Sequence, residues 1–163
     1  MVSCVFPGSF DPVTKGHMDV IGRASELFDH VTVTVMVNIS KKSAIPLEER
    51  IQLLKKACRK YPNVDVDSWD GLLADYMAEK KEKIVIRGVR NTPEYEQEIT
   101  AACANKMLNS SVETILIPTD PALAGVSSSA VREIASFGGN ISAFVPQTLI
   151  KDIETLLSKK TIK

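Results

Sequence analysis

The stretch Pro7 to His17 (PGSFDPVTKGH) holds the residue types that a phosphate-handling loop needs. It carries two glycines, Gly8 and Gly16, two small hydroxyl side chains, Ser9 and Thr14, and one histidine, His17. A short apolar run, Val2 to Phe6, precedes it and reads as a buried strand. Met18, Ile21, Ala24, Leu27 and Phe28 follow it at near-helical spacing. Strand, glycine turn and helix start, in that order, turn free backbone N–H groups and the positive helix end toward the loop, which suits an anion. A cation is disfavoured there, so His17 is expected to be neutral or paired with a bound anion. On spacing alone a plain βα turn, with Gly and Pro serving chain reversal, explains the stretch as well.

Three further places could contribute. Lys41 and Lys42 lie in the polar loop Asn38 to Ala44, and taken alone they read as a solvated loop. Arg87 and Arg90 follow the apolar run Ile84 to Ile86, where Arg87 could simply pair with Glu98. Ser127, Ser128 and Ser129 open a helical segment and could be no more than an N-cap with neighbours. His30 reads as a local cap or surface residue.

The elements that must position these residues alternate along the chain. Strands are expected at Val31 to Val37, Val64 to Val66, Ile84 to Ile86 and Val112 to Ile117, after the first at Val2 to Phe6. Helices are expected after His17, from Pro46 (Leu47, Ile51, Leu54, Cys58), from Asp70-Gly71 to Lys80, from Pro93, from the serines to Ile134, and from Pro146. The Pro93 helix is expected to bury Tyr95, Ile99, Ala102 and Leu108, with Glu94 and Glu98 sharing a face. The fold class is therefore α/β: a Rossmann-like, doubly wound sheet of about five parallel strands with helices on both faces. Residues 1–163 form one domain, with 158–163 expected as a frayed tail.

Ligands of such sheets sit beyond the C-terminal strand ends. That rule brings the Gly8–His17 loop, Lys41, Lys42, Arg87, Arg90 and the serines to one edge. Lys plus Arg and Asp plus Glu number 20 each, so this local excess of donors implies a small phosphate-rich ligand and not a nucleic acid. No apolar run approaches membrane length, and the first residues lack a basic secretory region, so a cytoplasmic location is expected. Cys4, Cys58 and Cys103 are far apart and read as buried thiols of a reducing compartment.

Thr14-Lys15-Gly16-His17 resembles the (T/H)-x-G-H signature of a nucleotidyltransferase superfamily. Pro7 to Pro12, Leu47 to Arg50, Asp70 to Leu73, Arg87-Gly88-Val89-Arg90, Glu94 to Glu98 and Val126 to Arg132 resemble, in order, the motifs of its pantetheine-phosphate adenylyltransferase branch. Two departures stand out. Leu123-Ala124-Gly125 occupies a stretch where that branch commonly has an aromatic and then Ser-Phe, and Gln97 stands where an aromatic is common.

The resemblance implies transfer of AMP from ATP to 4′-phosphopantetheine, giving dephospho-coenzyme A and pyrophosphate, in a homohexamer built from two trimers. It implies catalytic roles for His17, Lys41, Ser9 and Arg90. For ATP it implies Ser9, Phe10, His17, Gly88, Val89, Arg90, Glu98, Leu123, Ala124, Gly125, Val126, Ser127, Ser128 and Ser129. For 4′-phosphopantetheine it implies Ser9, Lys41, Leu73 and Arg87. Mg²⁺ is expected through the ATP phosphates, since no carboxylate cluster offers a protein cage, and coenzyme A could bind as a feedback ligand. A related adenylyltransferase with another acceptor, such as nicotinate mononucleotide, and a non-enzymatic nucleotide sensor remain alternatives.

Overall fold

The computed structural model of the chain describes residues 1–38, 40 and 42–158. Lys41 and residues 159–163 of the expected tail lie outside the described residues. Five strands, β1 (Ser3–Gly8), β2 (His30–Val37), β3 (Val64–Asp70), β4 (Ile84–Val89) and β5 (Glu113–Pro118), form one parallel sheet in the order β3-β2-β1-β4-β5. Among the described residues six α-helices connect and flank them: α1 (Lys15–Leu27), α2 (Leu47–Cys58), α3 (Leu73–Lys80), α4 (Thr92–Leu108), α5 (Ser128–Ser136) and α6 (Ile150–Ser158).

The strand period of two divides the core between the sheet faces. Cys4, Phe6, Val31, Val33, Val35 and Ile86 pack with α1, α2 and α6 on the larger side. Val5 and Val85 turn the other way, against Tyr76 and Met77 of α3. Beneath α3 the Tyr76 hydroxyl accepts from Thr34 Oγ1 and donates to Asp67 Oδ2, each at 3.0 Å. Burial pushes that phenol up to about 12, so it stays a neutral donor. These bonds fix the start of α3, where Leu73 stands. The turn before it needs glycine: Gly71 has φ +151, outside the range of L side chains.

All five strands run beyond their apolar runs, β2 by His30 alone. β1 continues through Pro7 and Gly8, which pair with Thr34 and Val35 of β2. β3 continues through Asp67 to Asp70 along β2, and β4 through Gly88 and Val89 along β5. β5 also takes in Pro118, paired with Val89. Proline cannot donate to a ladder, and the Pro7 carbonyl accepts from Arg87 Nη1. The β1–β4 register is a single pairing, Val5 with Val85, so the two strands part toward their C-terminal ends. That gap lies where the strand order reverses, the position at which open α/β sheets bind ligands.

Helix α4 departs from the sequence expectation. None of its residues is buried. Tyr95, Ile99 and Leu108 are 47%, 40% and 63% exposed, and Met107 88%, because the helix turns its other side to the sheet. Cys103, expected to be buried, is exposed on it, while Cys4 and Cys58 are buried as expected. Among the described residues no helix is long and apolar enough to cross a membrane.

Candidate active site

The β1–α1 turn is organised by Thr14, the N-cap of α1. Its hydroxyl accepts from His17 N, and its own backbone N–H donates to His17 Nδ1 at 3.0 Å. This is a capping box in which histidine fills the place usually taken by Glu or Gln. Because Nδ1 accepts, a neutral ring carries its proton on Nε2. The half-buried ring packs edge-on against Phe10, with centroids 4.9 Å apart, and Phe10 in turn against Phe6 at 5.4 Å. Phe10 takes a left-handed φ of 46 and is 2% exposed, so it supports His17 from inside the fold. Gly8 admits this packing; a Cβ there would meet the Phe10 ring at 3.0 Å.

Burial, and then the charges of Arg87 and Arg90, lower the His17 pKa from 6.5 to about 4. The unfolded chain therefore binds more protons than the fold between about 4 and 6.5, and stability rises with pH there. The contribution of neutral His17 is complete above 6.5 and is lost as pH falls toward 4. The expected result is a steeper acid fall in Tm for the parent chain than for His17→Gln, which retains a capping acceptor but does not titrate. Parallel curves would remove His17 as the cause.

Arg87 and Arg90 are both anchored to α4. Arg87 bonds Glu98 through Nε at 2.8 Å and Nη2 at 2.6 Å, and donates from Nη1 to Pro7 O in the β1–β4 gap. Arg90 grips Glu94 in the same two-pronged way and donates from Nη1 to Val126 O at 2.6 Å. Burial alone would raise the Glu94 carboxyl, but the bonds from Arg90 hold it below the usual carboxylate range. A guanidinium has five N–H donors. Three are used in each case, which leaves two for a ligand. Gly88 lets strand and helix approach, since a Cβ there would meet Val20 at 2.9 Å.

The third wall is the start of α5. Ser127 is its N-cap and accepts from Ala130 N. Ser128 Oγ donates to Pro12 O at 2.7 Å, and Arg132 donates to Asp11 O and Ser129 Oγ. The α5 N-terminus is thereby joined to the β1–α1 turn, so two helix N-termini border one space.

That space is a cleft of about 460 Å³ bordered by Ser9, Phe10, His17, Gly88, Arg90, Glu98 and Val126 to Ser129. A second cleft, of about 730 Å³, is bordered by Leu73 and by Gln97, Ala101 and Asn105, one stripe of α4. Ser9, Arg87, Gln97 and Glu98 border both, so the two communicate. Most residues singled out in the sequence are thus brought together. Val89, Leu123, Ala124 and Gly125 border neither cleft; Val89 O instead accepts from Thr119 N at 2.9 Å. His30 lies apart, beside Asp65 at 3.5 Å. Sequence reasoning missed cleft roles for Arg50, Arg132 and Thr119. Arg50 and Arg132 stand inside recognised motifs, whereas nothing local marks Thr119.

Residues 5–134 match the family described as cytidylyltransferase-like. The chain is 44% identical over 154 residues to the phosphopantetheine adenylyltransferase of Clostridium perfringens, covering 94% of both chains. It is 42% identical to that of Finegoldia magna, covering 96% of both. The chain belongs to the phosphopantetheine adenylyltransferase family. The fold of this family member is shared with more distant structures. A proposed nicotinate-nucleotide adenylyltransferase from Vibrio parahaemolyticus superposes with a TM-score of 0.69 at 16% identity, covering 99% of this chain and 98% of that one. The nicotinic acid mononucleotide adenylyltransferase of Plasmodium falciparum, complexed with NaAD, gives 0.68 at 14%, covering 94% of each.

Proposed function

We propose that this chain transfers AMP from ATP to 4′-phosphopantetheine, releasing pyrophosphate and forming dephospho-coenzyme A. The observation that carries the reading is the meeting of two clefts at Ser9 and Arg87, beside a histidine held neutral with its donor at Nε2. The donor-rich first cleft takes the ATP triphosphate. The larger cleft, with apolar Leu73 and amide-bearing Gln97 and Asn105 on its walls, suits a thin amide-containing arm.

A phosphate monoester has a second pKa of about 6 and is already nucleophilic near neutrality, so no general base is needed. An acceptor phosphate oxygen attacks the α-phosphorus. The bond from that phosphorus to the bridging oxygen breaks, and pyrophosphate leaves with the electron pair. His17 Nε2–H donates to an α-phosphoryl oxygen as charge grows there. Ser9, Arg87 and Lys41 hold the attacking phosphate; Arg90 and Ser127 to Ser129 hold the departing one. Positioning and electrostatics do the catalysis.

Mg²⁺ fits as a companion of ATP, neutralising phosphate charge. The carboxylates bordering the first cleft are committed elsewhere: Asp11 to the N–H groups of Ala44 and Ile45, Glu94 to Arg90, and Glu98 to Arg87. Phosphate oxygens and water are left as its ligands. A homohexamer of two trimers, a cytoplasmic location and feedback binding of coenzyme A belong to the same reading. The exposed apolar side chains of α4 favour self-association.

The test is pyrophosphate release with ATP, Mg²⁺ and 4′-phosphopantetheine, with the product mass confirmed, and nicotinate mononucleotide as rival acceptor. Dephospho-coenzyme A formed from the pantetheine substrate alone is expected. Turnover only with the rival would overturn the acceptor. ATP binding without turnover of either would make the chain a sensor.

A further inference from the structure

Arg50, in the first turn of α2, is a buried cation that the steps above do not use. It is 3% exposed, and among the described residues no carboxylate forms an ion pair with it. Its Nη1 donates to the Ser9 carbonyl at 2.8 Å. Its Nε is buried with no hydrogen-bond partner. The side chain borders the first cleft together with Ser9, Asp11 and Lys42.

A buried guanidinium without a counter-ion is costly, and a buried donor left unpaired adds to the cost. Burial draws the Arg50 pKa down, and the charge of Asp11 partly opposes this. Asp11 does not complete the pair: its two oxygens accept from Ala44 N and Ile45 N, both at 2.7 Å, and it forms no ion pair with Arg50. Arg87 and Arg90 differ in this respect: Glu98 and Glu94 already neutralise them. The uncompensated charge at the Ser9 end therefore includes Arg50, a residue type suited to phosphate recognition.

We propose that Arg50 is the buried positioning cation of the acceptor-phosphate site, fixing Ser9 through its carbonyl and supplying the positive charge that a phosphate dianion beside Ser9 requires. This rests on the function proposed above. Anion and cation complete one another: the ligand gains a desolvated counter-charge, and Arg50 gains the partner that the chain withholds.

Steady-state kinetics of Arg50→Met and Arg50→Lys test it. Arg50→Met keeps the aliphatic stem, and exchanging a buried charge for an apolar side chain often preserves folding. Its KM for the acceptor is expected to rise about tenfold or more, the loss of a charge-assisted bond. KM for ATP should stay near the parent value, and Arg50→Lys should recover part of the loss. An unchanged acceptor KM in a folded variant, or an equal rise in both KM values, would overturn the proposal. Should neither variant fold, ¹⁵N-arginine NMR of the parent chain titrated with inorganic phosphate decides. A shifted Arg50 Nε–H resonance supports the site, and an unmoved one overturns it. A phosphate response in a chain that makes no dephospho-coenzyme A would keep the site and lose the reaction.

Discussion

Replacing His17 with alanine is expected to lower kcat by about 10²–10³ while leaving KM for ATP almost unchanged, the signature of a donor that acts mainly in the transition state. The expectation follows from the capping box. Thr14 N–H occupies Nδ1, the ring is neutral near pH 7, and the one remaining polar atom is the Nε2 donor. Histidine here cannot serve as a general base through Nε2, since that nitrogen already carries the proton. The alanine variant also loses half of the capping box, so a Tm measured alongside separates fold from chemistry. Turnover close to the parent value in a folded variant would remove His17 from the mechanism.

The second large effect is expected at Arg87. Arg87→Ala should raise KM for the acceptor by about 10–100-fold, because charge-assisted bonds to a phosphate are lost. The variant also strands Glu98, whose side chain is only 17% exposed and is bonded to Arg87. Glu98 itself provides the sharper discrimination. Resemblance assigns it to the nucleotide site, whereas its two oxygens are both on Arg87. Glu98→Gln is therefore expected to weaken the acceptor, through a mis-set Arg87, more than ATP. A selective rise in KM for ATP would return Glu98 to the nucleotide.

Several features were legible because they are local. Alternating strand and helix patterns announced the parallel sheet, and the small-residue turn at Pro7 to His17 announced an anion site at a helix start. Ser127 capped α5 as its residue type demands. The strands were legible only in their apolar middles. Pro7, Gly8, Gly88 and Val89 are held in strand conformation by neighbours β2 and β5, and no local preference shows that.

Across longer distances the sequence was silent or misleading. The apolar positions of α4 have helical spacing, yet spacing records periodicity and not what lies against it; Tyr95, Ile99 and Leu108 face outward. The pairing of Arg87 with Glu98 was one open reading, but nothing local showed that Glu94 holds Arg90 as well and that both arginines still face one cleft. Arg50 was legible only as the end of a motif, and folding buries it behind Ser9.

The sequence by itself determined the order of elements, the turn chemistry at His17 and the serines, and the family of motifs, since each depends on neighbours within a few residues. Only the tertiary structure decided which cations remain uncompensated, which nitrogen of His17 can donate and where the two clefts join. Those properties depend on burial and on partners brought close by folding, and burial sets both the cost of a charge and the strength of the bond that offsets it.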